Sequence, residues 1–114
     1  MRGDTGATLG NAVRVLDART AFIADSMLRE VVRSGTANPA KQRLGRNDLA
    51  GKTGTTNDSF DAWFCGYTPD YTTVVWIGYR DNRPLGKGPD YTGGRLACPI
   101  WTNFMIDAEE GLPV

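Results

Sequence analysis

The run Thr72-Thr73-Val74-Val75-Trp76-Ile77-Gly78-Tyr79 constrains this chain more than any other segment. β-Branched and aromatic residues fit a pleated surface, and their density here makes this the strongest strand signal in the sequence. Val74 to Ile77 do not alternate with polar residues, and a strand with one face in water should alternate. The run therefore predicts a strand covered on both faces, with one helix on each side of its sheet. Two weaker β-like runs precede it, the glycine-interrupted Leu49–Thr56 and the aromatic Ala62–Thr68. Asn57-Asp58-Ser59 and Thr68-Pro69-Asp70-Tyr71 are turn sequences, so the simplest arrangement is a three-stranded antiparallel meander.

Helical spacing flanks this sheet on both sides in the sequence. Asp17 has the chemistry of an N-cap. After it, Ala24, Met27, Leu28 and Val31 fall at i, i+3, i+4 and i+7, and Gly35 is a natural stop, which predicts a helix over Ala18–Arg33. Asp25 and Arg29 sit four apart on the opposite side in the favourable order. Near the other end, Pro99 suits a first helical turn, and Trp101, Phe104, Met105 and Ala108 repeat the spacing before Gly111 and Pro113. Val13–Leu16 reads as a short extended segment. Residues 36–47 read as a polar, basic connection, and residues 81–97, rich in glycine and proline, as a loop. Residues 1–12 read as a loose leader. The fold class is therefore α+β.

Composition narrows the chemistry. The 114 residues hold 13 Lys+Arg against 13 Asp+Glu, and this neutrality argues against a dedicated nucleic-acid partner. The chain has no histidine, which excludes Ser-His-Asp and Cys-His nucleophile systems and any His-bearing zinc site built from it alone. Cys65 and Cys98 are too few for a structural zinc; they suit either one disulfide or two small buried hydrophobes. No cofactor and no metal are expected. No apolar run approaches the ~20 residues of a membrane span, and Met1–Gly6 lacks the apolar stretch of a signal peptide.

Gly51-Lys52-Thr53-Gly54-Thr55-Thr56 is the segment that carries chemistry. As a phosphate-binding loop it fails twice: Gly45 is one residue too far upstream, and a turn and a strand follow where a helix should open. As a strand it does better. Thr53 and Thr55 are two apart, so both hydroxyls point to one side of the pleat. Two hydroxyls, an ammonium and the open amides of an edge strand suit a ligand's carboxylate and peptide backbone, and Gly54 permits close approach. A glycine-weakened edge strand carrying an exposed lysine accounts for the same tetrad.

Lys-Thr-Gly is also the third signature of active-site serine penicillin-binding proteins and serine β-lactamases. Leu49–Asp58, Asp61-Ala62-Trp63-Phe64 and Gly66-Tyr67-Thr68-Pro69 together resemble the C-terminal part of a bifunctional class A penicillin-binding protein transpeptidase domain. Val15–Ala21, Ser34-Gly35-Thr36-Ala37 and Pro99-Ile100-Trp101 extend the similarity across residues 13–108, so that residues 13–114 would be that portion of the domain.

The resemblance implies a partial β-lactamase/transpeptidase-like fold, an antiparallel sheet with helices on both faces. The activity it implies is serine acyl transfer that cross-links peptidoglycan stem peptides, with D-Ala-D-Ala stem peptides and β-lactams as ligands on the periplasmic side of the bacterial inner membrane. It makes Lys52 the lysine of the proton-transfer network. It makes Thr53, Gly54 and Thr55 the substrate-binding stretch, with the Thr55 amide as one oxyanion donor. The family's nucleophile lies in Ser-x-x-Lys and a second motif is Ser-x-Asn, yet the serines here are Ser26, Ser34 and Ser59, and none fits either pattern. The chain alone is therefore expected to be inactive. A non-catalytic binding or assembly remnant of the same fold is the alternative. Resemblance also leaves the outer edge of the 72–79 strand without its neighbour, so the missing N-terminal part of the domain, or a second copy, becomes an expected partner.

Overall fold

The computed structural model describes residues 12–114, so the leader reading of residues 1–12 falls almost wholly outside the described residues. Helix α1 (Ala18–Ser34) is capped by the Asp17 side chain, which accepts from the Arg19 amide. It ends where the Gly35 amide donates to the Val31 carbonyl. Val13–Leu16 forms no strand. Three strands follow, β1 (Ala50–Thr55), β2 (Asp61–Tyr67) and β3 (Thr72–Gly78), in the antiparallel order β1-β2-β3. The expected α+β class and the meander are both present.

Two segments expected as loops are helical. Helix α2 (Asn38–Leu44) occupies the basic connection. Pro39 sits in its first turn, Ala40 is buried and Leu44 packs on the core, while Lys41 and Arg43 share its last turn. Gly45 closes it at φ 66°, a left-handed conformation that glycine adopts without strain. The second segment, Gly93–Ala97, forms one turn of π-helix that runs directly into α3 (Cys98–Ala108). Its glycines obscure the turn in sequence. Thr92 caps it by accepting from the Arg95 amide.

The core gathers Val32, Ala37, Ala40, Leu49, Phe64, Ala97, Cys98, Trp101 and Met105, with Val75 and Ile77 packed against it. Phe64 and Trp101 meet edge to face at 5.0 Å between ring centroids. Trp101 also donates from Nε1 to the Thr73 carbonyl, which fastens α3 to β3. Of the predicted helix faces, Trp101 and Met105 are fully buried, but Phe104 and Met27 are 52% and 67% exposed. Val32, outside the predicted stripe, takes the buried place on α1.

The register sets the two sheet faces. Lys52, Cys65 and Val74 are cross-strand partners, as are Gly54, Trp63 and Trp76, so all lie on the face opposite Phe64 and Val75. The expectation of cover on both faces is met at one end only. There Ala50 is buried, and the Tyr67 hydroxyl donates to Asp25 of α1. Along the rest, Lys52, Trp63, Cys65, Val74 and Trp76 are exposed among the described residues. Burial in β2 and β3 alternates residue by residue although the sequence of β3 does not.

Candidate functional site

β1 is an edge strand: among the described residues it pairs with β2 alone. Its ladder fixes which backbone groups remain open. The Thr56 amide donates to the Asp61 carbonyl at 3.1 Å, continuing the register of Thr55 opposite Ala62. Backbone polar groups alternate sides along an antiparallel strand. Gly54 therefore turns its amide and carbonyl toward β2, and Thr53 and Thr55 turn theirs to the open edge. Lys52 stands on the second face, and its Nζ bends round the edge to donate to the Thr53 carbonyl at 3.0 Å.

Thr53 and Thr55 share the core face of the pleat, as their spacing predicts, yet neither is sealed inside: Thr53 is half-buried and Thr55 exposed. Gly54 has a packing reason for lacking a side chain, since a Cβ there would stand 3.3 Å from the Cβ of Trp63. The edge thus assembles the Lys52 ammonium, the outward Thr53 and Thr55 amides and two threonine hydroxyls. All can donate hydrogen bonds, and an anionic or carbonyl ligand is the natural complement.

The π-helical turn joins this site, and the sequence reading missed it. The Gly93 amide donates to Thr55 Oγ1 at 2.9 Å, and a Cβ built on Gly94 would stand 3.7 Å from the methyl of Thr53. The legible signal was Thr92-Gly93-Gly94 just ahead of a proline-started helix, where a threonine cap and two glycines suit a tight approach to another backbone. The cysteines do not take part as a pair. Cys65 is exposed on the second face and Cys98 is buried in the core, both are free, and burial pushes the Cys98 thiol up.

A buried polar cluster anchors the other end of β1. Arg46 makes a bidentate pair with Asp48, at 2.9 and 2.8 Å, and donates to the Leu112 and Pro113 carbonyls. Glu109 faces Arg46 at 3.5 Å and accepts from the Thr68 hydroxyl, which in turn accepts from the Asp70 and Tyr71 amides of the β2–β3 turn. The hydrogen bonds from Arg46 hold the Asp48 carboxyl below its ordinary range against the opposing effect of burial. The approach to β1, the β2–β3 turn and the end of α3 are thereby tied to one guanidinium.

Comparison with known proteins identifies the family. The profile described as penicillin binding protein transpeptidase domain matches residues 10–105. Penicillin-binding protein 1A of Pseudomonas aeruginosa is 53% identical over 103 residues, and that of Neisseria lactamica 47% over 103; each alignment covers 90% of this chain and 12% of the relative. The crystal structure of penicillin-binding protein 1A from Haemophilus influenzae superposes with a TM-score of 0.82 at 34% identity, over 90% of this chain and 16% of that one. This chain therefore spans a small part of the length of the proteins it matches. With the profile spanning most of the chain and relatives this similar, the chain belongs to the penicillin-binding protein transpeptidase domain family.

Proposed function

We propose that this chain is the C-terminal portion of a peptidoglycan D,D-transpeptidase domain, and that it contributes the substrate-carboxylate and oxyanion strand without the nucleophile. The observation that carries the reading is the open edge of β1, where the Lys52 ammonium, the outward Thr55 amide and the Thr53 and Thr55 side chains converge. In this reading Lys52 supports proton transfer. Thr53 and Thr55 hold the terminal carboxylate of a D-Ala-D-Ala stem peptide or of a β-lactam, and Gly54 lets the ligand backbone approach. The Thr55 amide donates to the developing oxyanion, an interaction of about 2.7–4 kcal/mol in transition-state stabilisation. The reaction belongs on the periplasmic side of the inner membrane; no helix among the described residues is long and apolar enough to cross a membrane.

None of Ser26, Ser34 and Ser59 begins a Ser-x-x-Lys sequence, so the attacking hydroxyl must come from another part of the domain. A fluorescent penicillin tests this. The purified 114-residue chain remains unlabelled, and the polypeptide that adds an upstream Ser-x-x-Lys segment becomes labelled. Stoichiometric labelling of the short chain would refute the assignment.

A further inference from the structure

We propose that the Gly93 amide is a positioning group that makes the Thr55 hydroxyl a dedicated hydrogen-bond donor to the ligand carboxylate. The inference rests on the carboxylate role given to Thr55 above, and it adds the π-helical turn to the machinery that discriminates an acid from its neutral analogue.

A threonine hydroxyl has one proton and two lone pairs. Gly93 N–H fills one lone pair of Thr55 Oγ1 at 2.9 Å, and no described residue accepts the hydroxyl proton. With an amide fixed on one side, the proton is turned away from Gly93 and is available to an acceptor at the exposed face of Thr55. A freely rotating hydroxyl would spend part of its time presenting lone pairs to an anion; this one is pre-oriented, which reduces the ordering required on binding.

The amide can perform this task because it is itself held. Gly93 is buried, and the backbones of Gly54 and Trp63 fill the space that a side chain at this position would need. A Cβ there would stand 2.6 Å from the Gly54 carbonyl oxygen and 2.9 Å from its nitrogen, and closer still to the Trp63 carbonyl. Only glycine brings its amide this near to Thr55. Behind it, Leu96 N–H donates to the Thr92 carbonyl at 2.8 Å, and the turn continues into α3, whose Trp101 is fully buried. Single π-turns in helices are frequent at functional sites.

The experiment uses the full-length transpeptidase that, on the reading above, contains this chain, and compares acylation by a penicillin with acylation by its methyl ester. The unaltered enzyme prefers the free acid. Gly93→Ala lowers that preference about tenfold, Thr55→Val does the same, and the double variant loses no more than either alone. An equal fall in both rates with the preference kept, or additive losses, would overturn the inference. An unaltered enzyme with no preference for the acid would instead defeat the carboxylate role itself. Because Gly93→Ala must displace backbone, a second measurement leaves Gly93 in place. Exchange of the Gly93 amide proton quickens about tenfold in Thr55→Val and stays slow in Thr55→Ser; unchanged exchange in Thr55→Val would be equally decisive against it.

Discussion

Tyr67 and Asp25 join the sheet to α1 through one hydrogen bond, and their ionisation reports on that junction. Burial, with Asp25 beside it, pushes the Tyr67 phenol up to about 12. Burial alone would raise Asp25, but the hydrogen bonds from Tyr67 and Arg29 outweigh it and hold that carboxyl low. A phenol whose folded pKa lies above its ordinary value of 10.0 contributes stability that is fully present below pH 10 and lost as pH rises toward 12. Urea unfolding of the chain should therefore lose on the order of 1 kcal/mol more than Tyr67→Phe between pH 9.5 and 12, once solvent screening of this half-buried group is allowed for. Parallel curves for the two proteins would disprove the coupling. Neither partner was singled out for this bond by sequence reasoning, because 42 residues separate them and only the β2 register aims the phenol at α1.

At the scale of elements, α2 shows why a polar stretch can still be a helix. Its burial rests on Ala40 and Leu44, which give too sparse a stripe for periodicity to register, and its ends rest on Pro39 and Gly45. Gly45 at φ 66° carries the C-terminal stop, so Gly45→Ala should destabilise the chain by about 1–2 kcal/mol, read from the thermal midpoint. No change in midpoint would mean that the cap is dispensable. The strands were legible nearly to the residue, since β-branched runs and turn sequences act locally. The cover over them was not. Val74 and Trp76 look like core residues in the sequence, yet they are 54% and 48% exposed, because what an apolar strand packs against is set by chain far from it.

Across the whole molecule these exposures become a surface. Trp63 and Trp76, with ring centroids 6.3 Å apart, stand beside Cys65 and Val74 on the second face, and the outer edge of β3 has no paired strand among the described residues. An apolar strand with open backbone groups is a template for pairing with another copy. Light scattering of the 114-residue chain at micromolar concentration should show oligomers, and Val74→Lys should shift it toward monomer; a clean monomer of the unaltered chain would contradict this. On the function proposed above, the same surface would also receive the rest of the transpeptidase domain.

Read alone, the amino-acid order was enough to establish the three strands, the two longer helices and the Lys52-Thr53-Gly54-Thr55 edge. Each of these rests on interactions within a few residues: side-chain alternation, i to i+4 spacing, turn chemistry and a threonine pair two apart. Folding in three dimensions decided which sheet face is covered, that Cys65 and Cys98 stand on opposite sides of the sheet, that Arg46 gathers Asp48, Glu109 and the Leu112 and Pro113 carbonyls, and that Gly93 meets Thr55 across 38 residues. Those contacts depend on how far apart pieces of chain come to lie together, and no local pattern encodes that distance.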